Sequence, residues 1–525
     1  MFKKPIFILT IICLIFGGVY LYLVKPLTFD GDLSHRFDWP DETANYFWAS
    51  HYAKTGNLFY QESLNQIAQN QIYPRSFNVR NDGALVPGSF LGLILLYGTL
   101  AKIFSSNLII YFTPIISIIG VLAFYGIIKR IFDNTTAFVA TILLLMHPAW
   151  WYYSVTSMLP NVTFISLFLG GIYFFLKNEK IRWPDVLLSG FLIGLAISIR
   201  PAEVIWMIIV LLGIFILRKD QLKFSYVVLL LVMSSLAMVP SLSHQQSLYG
   251  DYLASGYSQL QSESFGTCQS CEVVKSIFLP FGFHPTLIAS NLWTHYLSRL
   301  WWLSLITLLG LVAFLVQTKK QKEEIFGYVL ISMLVFGWLG VYYGSWEFTD
   351  KLTVHLNTLG ISYVRYFLPL FILAVPFTAR GLIWISSILK SRWRHLGLSV
   401  LLLGLLYPSA HLVLAKKPDS ILPVKQRILS YKNSAATVMA ETPDDAVIVT
   451  VRKDKLFFPE RKVIHTFEAL SLNKDLVEIL KDLVAAAPVY YYALGPEPQV
   501  EFANGLKLEL IKQVGQEILY KVYVE

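Results

Sequence analysis

Trp39-Pro40-Asp41-Glu42-Thr43-Ala44-Asn45-Tyr46-Phe47-Trp48 sets two carboxylates side by side just after the first hydrophobic segment of the chain. Pro40 suits the first position of a helix, the acids fall in its first turn, and Ala44, Phe47, Trp48 and Tyr52 follow at helical spacing until Gly56. The stretch reads as an amphipathic helix lying on a membrane surface. Acids favour helix N-termini for dipole reasons alone. A functional reading stands beside that one: the positive helix end keeps Asp41 ionised, as a general base or a metal ligand requires.

What surrounds this stretch is membrane. Of 525 residues, 55% are hydrophobic and 15% charged, whereas soluble domains carry roughly 25% charged residues. Charge-poor runs long enough to span a bilayer lie at about 6–24, 86–104, 107–128, 154–177, 202–217, 224–241, 299–316, 325–343, 361–378 and 396–413, with shorter ones at 135–149 and 184–199. The first run follows Met1-Phe2-Lys3-Lys4 but lacks a small-residue cleavage pattern before Lys25-Pro26, so it reads as a retained anchor. The net charge of +9 does not indicate nucleic acid, because the tail from Lys416 balances 15 basic against 15 acidic residues. The excess lies in the membrane part, as the positive-inside bias predicts.

That bias sets sidedness. Lys129-Arg130, Lys177 to Arg182, Arg218-Lys219, Lys319-Lys320 and Lys390 to Arg394 read as cytoplasmic, which puts loops 25–86, 242–298 and 344–360 and the tail from about 415 outside. The first of these loops carries seven acidic and five basic residues. Eleven to thirteen crossings are expected, with one segment among 86–149 half-buried or re-entrant, since strict alternation fails there. The tail reads as a small α/β domain: helical at Leu422 to Ala440 and Leu472 to Ala485, strand-like at Ala446 to Val451 and Pro488 to Tyr492, with a final hairpin around Gly515.

Cys13 reads as a small buried apolar residue. Cys268 and Cys271 form a pair in a polar loop that is either a local disulfide or two thiols; without a second pair a zinc ribbon is unsupported. Asn161-Val162-Thr163 is formally a glycosylation sequon, but it opens a hydrophobic segment and reads as accidental. Trp150, Trp151, Tyr152, Tyr153, Trp301 and Trp302 fit an interfacial aromatic belt, although aromatic faces also bind sugars and prenyl chains.

An acidic pair directly after the first crossing resembles the GT-C membrane glycosyltransferases, the class of the protein O-mannosyltransferases and the lipid A aminoarabinose transferase. Further pieces fit in order: Pro87-Gly88, His147-Pro148, Ser198-Ile199-Arg200-Pro201, Tyr249-Gly250 with Ser255-Gly256-Tyr257, and Arg365-Tyr366-Phe367-Leu368-Pro369. The resemblance implies a polytopic all-α membrane domain of GT-C type over residues 1–415, and the extracytoplasmic α/β domain read from the tail spans 416–525. It also implies an inverting transfer from a polyprenyl-phosphate sugar to a lipid, protein or glycan acceptor on the outer face. Asp41 then stands as the base, with Glu42 orienting it or the acceptor.

Arg365 and Arg200 are the donor-phosphate candidates, because a departing lipid phosphate needs a cation and a guanidinium offers bidentate contact. Arg365 is favoured by the Arg-Tyr-x-x-Pro motif, and Arg200 is alternatively a structural partner of Glu203. Lys351, Arg75, Arg80 and Arg299 are weaker. His284, Asn161, Tyr257 and Glu203 are substrate-binding candidates, and His295 lies in the same loop as His284. Asn161 departs from the resemblance, since many members carry a second acid there. An amide is neither a base nor a strong metal ligand, so no metal ligands are assigned, although a divalent metal stays open. Two other function classes remain: a flippase of lipid-linked sugars, which predicts charges inside membrane segments and internal repeats, and a non-catalytic polysaccharide-binding envelope protein.

Overall fold

The computed structural model describes residues 5–25, 37–257, 278–317, 322–347, 358–470, 473–495 and 505–524. It divides into two compact units that interleave along the sequence, one holding residues 1–25, 110–240 and 264–423 and the other 26–109, 241–263 and 424–525. Cys268, Cys271 and Lys351 lie outside the described residues.

The first unit is helical. It begins with α1 (Pro5–Val24), apolar on all sides. Then come α4 (Ile109–Ile131), α5 (Asn134–Met146), α6 (Pro148–Val155), α7 (Pro160–Leu176), α8 (Trp183–Ile199) and α9 (Val204–Leu217). Among the described residues of the whole chain, six helices are long and apolar enough to cross a bilayer: Ile6–Val24, Ser106–Ile131, Phe224–Tyr249, Glu324–Gly344, Leu368–Ser387 and Ser391–Leu414. Three bent pairs qualify only together, and Leu91–Ile103 and Pro160–Leu176 are shorter apolar helices. The bends have local causes. Proline has no N–H to continue the helical ladder and disfavours helical backbone in the residue before it. His147-Pro148 accordingly separates α5 from α6 at 53°, and Arg200-Pro201 turns α8 into α9 at 114°. Asp133 caps α5 by accepting from the N–H groups of Thr135 and Thr136 at 2.8 and 2.9 Å.

Trp150, Trp151, Tyr152 and Tyr153 are at most 4% exposed. They pack inside this unit and do not form an interfacial belt: α6 has protein on all sides, and Tyr153 Oη donates to the Leu359 carbonyl at 2.6 Å. Trp301, by contrast, is 63% exposed.

The second unit joins the tail to the first long loop and shares its core with it. It contains α2 (Pro40–Thr55), a hairpin of β1 (Phe77–Val79) and β2 (Leu85–Pro87), α3 (Leu91–Ile103) and a five-stranded sheet in the order β4-β3-β5-β7-β6. β3 (Val447–Val451) is flanked in parallel by β4 (Lys462–Thr466) and β5 (Val489–Leu494), while β7 (Glu517–Val524) runs antiparallel to both β5 and β6 (Leu506–Val514). Side chains of successive strand residues point to opposite faces. Ile448, Tyr490, Tyr492 and Leu519 therefore pack with Ala44, Trp48, Phe77 and Leu91. On the other face Val447, Val449, Tyr491 and Tyr520 pack with the helix Lys474–Ala486 and with Ala68 and Ile72 of the loop.

Close backbone approach in the first unit depends on glycine. A Cβ at Gly310 would lie 1.8 Å from the Phe377 carbonyl oxygen, and one at Gly381 would lie 2.4 Å from that of Ile306. Thr307 and Thr378 are hydrogen-bonded through their hydroxyls at 2.7 Å in the same crossing. Gly310→Ala should destabilise the protein by about 2 kcal/mol through this overpacking. The check is a melting curve followed by size-exclusion chromatography in detergent, and an unshifted midpoint would refute the close crossing.

Candidate active site

In the second unit, Pro40 starts α2 with Trp39 extended before it (φ −101°, ψ 139°). Glu42, Thr43, Ala44, Asn45, Trp48 and Ala49 are all buried. The apolar stripe is thus covered by protein, including Phe458 against Phe47 at 4.8 Å between ring centroids. This corrects the expectation of a helix resting on lipid. The tail supplies a cover that periodicity within α2 does not reveal.

The acids of this region have separate environments. Asp41 Oδ1 accepts a hydrogen bond from Ser76 Oγ at 2.6 Å. Asp38 accepts Arg427 Nε on Oδ1 at 2.9 Å and Arg427 Nη2 on Oδ2 at 2.6 Å, and Lys455 Nζ lies 3.8 Å from Oδ1 and donates to the Asp38 carbonyl. Burial would raise the Asp38 carboxyl, but these two cations hold it below the ordinary carboxylate range. Glu42 is 5% exposed and accepts a long bond, 3.3 Å, from Trp39 N. Burial, reinforced by the negative charge of Asp38, pushes its carboxyl up to about 8. At neutral pH Glu42 is therefore mostly a neutral acid.

Ser76 is held from both sides. Arg75 donates its backbone N–H to Asp454 Oδ2 at 2.9 Å, its Nε to Asp454 Oδ1 at 2.7 Å and its Nη2 to the Arg452 carbonyl at 2.6 Å. Arg75 is thus a structural cation here. Arg80 pairs with Asp82 at 2.7 Å on the surface. Gly256 packs on Pro87-Gly88, where a Cβ would come within 2.3 Å of backbone, and its carbonyl accepts Asn78 Nδ2 at 2.7 Å. Tyr257 follows it and meets the Phe90 ring at 4.9 Å.

The first unit gathers the cations. Arg200 gives Nε and Nη2 to Glu203 Oε1 at 3.1 and 2.9 Å, Tyr343 Oη donates to the same oxygen at 2.5 Å, and Trp206 Nε1 donates to Oε2 at 2.6 Å. Glu203 is 2% exposed. It is the buried counter-ion of Arg200, with both of its oxygens occupied by protein donors. Arg365 lies beside this group. The guanidinium carbons of Arg200 and Arg365 each sit 5.1 Å from the centroid of the Tyr366 ring, which stacks on Tyr343 at 4.5 Å. Asn161, 1% exposed, donates to the Arg365 carbonyl at 3.1 Å, so the amide in place of the missing acid steadies the Arg365 main chain.

His284 is exposed at the start of the helix Pro285–Asn291, and its N–H meets Ser345 Oγ at 3.4 Å. His295 is buried, stacked on Tyr363 at 4.6 Å and 2.9 Å from Arg299 Nη2, and Arg299 also donates to the Thr358 carbonyl. Among the described residues, no group of three or more His, Cys, Asp or Glu side chains is placed to hold a metal ion.

Sequence reasoning missed Ser76, Asp38, Arg427, Lys455 and Asp454 in the acid group, and Tyr343 in the cation group. No local signal marks the tail residues. They reach Asp38 and Arg75 across separations of 379 to 417 residues.

The family model of dolichyl-phosphate-mannose-protein mannosyltransferase matches residues 91–244. No curated protein sequence matches the chain. Among solved structures, ArnT from Cupriavidus metallidurans bound to undecaprenyl phosphate superposes with a TM-score of 0.57 at 10% identity, over 99% of this chain and 98% of that one. Its apo state gives 0.58 at 10% identity, over 97% of each chain. The oligosaccharyltransferase of Archaeoglobus fulgidus in its apo form gives 0.54 at 11% identity, over 94% of this chain and 70% of that one. The chain has the GT-C fold, an all-α polytopic membrane part with a small β-containing C-terminal region.

Two outcomes follow from these environments. The folded state keeps a proton on Glu42 that the unfolded chain releases near 4.5, so this stabilisation is complete below that pH and is lost as pH rises through about 8. Glu42→Gln should therefore be more stable than wild type at pH 9, by up to about 5 kcal/mol, with the gain disappearing toward pH 4.5. A gain independent of pH would contradict the neutral Glu42. Glu203→Gln should cost about 3 to 5 kcal/mol by leaving Arg200 without its counter-ion, read as loss of monodisperse protein on extraction.

Proposed function

We propose that this chain, built on the GT-C fold, is an inverting membrane glycosyltransferase that moves a sugar from a polyprenyl-phosphate donor to a hydroxyl acceptor. Asp41 carries this reading. It is a carboxylate in the first turn of a helix, with one oxygen already fixed by a hydroxyl, in a chain that follows the GT-C fold along almost its whole length. ArnT binds undecaprenyl phosphate in the structure it matches, which supports a lipid phosphate as the donor's leaving group.

In the proposed reaction the acceptor oxygen attacks the anomeric carbon from the face opposite the phosphate. The carbon–oxygen bond to phosphate breaks, and the acceptor's proton passes to Asp41. Polyprenyl phosphate leaves with the bonding electron pair, a charge that needs a cation, and Arg365 and Arg200 of the first unit are the proposed residues for that role. Glu42, protonated, keeps a second negative charge away from the base. Asn161 serves Arg365 through its carbonyl, while Tyr257 and His284 are left as acceptor or donor contacts. The protein is proposed to sit in the cell membrane with the C-terminal region and Asp41 on the extracytoplasmic side, where lipid-linked donors are presented. Sugar and acceptor identity reside in pockets built by distant loops.

Asp41→Asn should lower transfer from a polyprenyl-phosphate sugar in membranes by about 100- to 10,000-fold at normal expression, and full activity in that variant would remove the base. Arg365→Lys should raise the donor KM, because the bidentate contact is lost.

A further inference from the structure

We propose that Ser76 and Asp454 are positioning residues for Asp41, so that the C-terminal region acts on the proposed base through the Arg75–Ser76 peptide. The inference rests on the reading of Asp41 as base. Ser76 adopts φ 65°, a left-handed backbone that residues other than glycine seldom take. Strained positions of this kind persist where the surroundings over-determine them, and they cluster at functional sites.

The determinants are visible on each side of it. Asp454, 1% exposed, takes both the main-chain N–H and the Nε of Arg75 on its two oxygens. The Arg75 Nη2 is held by the carbonyl of Arg452, itself at φ 58°. On the other side, Gly88 N–H donates to the Ser76 carbonyl at 3.1 Å, and the approach is so close that a Cβ at Gly88 would lie 2.6 Å from that oxygen. With the backbone pinned at both ends, the Ser76 hydroxyl has its donor direction set, and it meets Asp41 Oδ1 at 2.6 Å.

Ser76 thereby orients the carboxylate that the reading takes as the base. Asp454 contributes without touching Asp41. It fixes the conformation from which Ser76 donates, and asparagine would keep only one of the two acceptor oxygens that the Arg75 donors occupy separately.

The experiment uses the full chain with a polyprenyl-phosphate sugar donor, comparing Ser76→Gly, Asp454→Asn, the double variant and Asp41→Asn. Glycine suits the left-handed backbone, so Ser76→Gly should melt at or above the wild-type midpoint. Its kcat should fall about 3- to 10-fold, as the loss of one hydrogen bond allows, with the donor KM unchanged. Asp454→Asn should likewise lower kcat at unchanged donor KM, and the double variant should add nothing further, since one residue acts through the other. A well-folded Ser76→Gly with wild-type kcat overturns the proposal, as do additive effects in the double variant. An inactive Asp41→Asn beside an unaffected Ser76→Gly overturns this inference alone, whereas a fully active Asp41→Asn overturns the base assignment and this inference with it.

Discussion

The contact on which the second unit turns is the carboxylate of Asp454 against the main chain and guanidinium of Arg75. Buried ion pairs of this kind are poor evidence of net stability, because desolvation offsets most of their attraction. Their value lies in geometry. Two charge-assisted bonds to one carboxylate, with a third from Arg75 to the Arg452 carbonyl, admit one arrangement of loop and tail. A hydrophobic pair at the same place could pack equally well and still leave the rotation of the Ser76 peptide undecided.

The acids near the start of α2 show the same economy of charge. Asp38, Asp41 and Glu42 lie within five residues of each other, and three anions in a buried setting repel. Each is handled differently. Asp38 has two cations from the tail, Asp41 has a hydroxyl, and Glu42 keeps its proton. The first unit uses aromatic faces for the opposite problem, setting two guanidinium groups against the one ring of Tyr366.

Much of the fold was readable because its signals are local. The apolar runs, the proline breaks at His147-Pro148 and Arg200-Pro201, and the tail elements around Val447, Val489 and Gly515 all come from periodicity and turn chemistry within short windows. β4 and the short helix Asp454–Phe457 escaped, since Lys462–Thr466 is brief and gains its strand character by pairing in parallel with β3. The Arg200–Glu203 pair could be anticipated from its spacing of three residues. The roles of Ser76 and Asp454 could not, because they follow from a contact spanning 379 positions and from a backbone conformation that serine does not advertise. Composition also misplaces Trp150 to Tyr153: an interfacial belt and a buried helix share the same aromatic residues, and tertiary cover decides between them.

The sheet of the second unit bears on how the protein is made. β3 lies between β4 and β5, both later in the sequence, and its two faces pack in part on loop residues that left the ribosome several hundred residues earlier. Contacts of such separation form late, after the loop-closure entropy has been met. During synthesis the membrane helices can insert one after another while Arg75 and Asp38 still await Asp454, Arg427 and Lys455. Full assembly of the acid site thus marks the end of translation, and a chain cut short before residue 454 would carry the Asp41-Glu42 sequence without the structure that holds it.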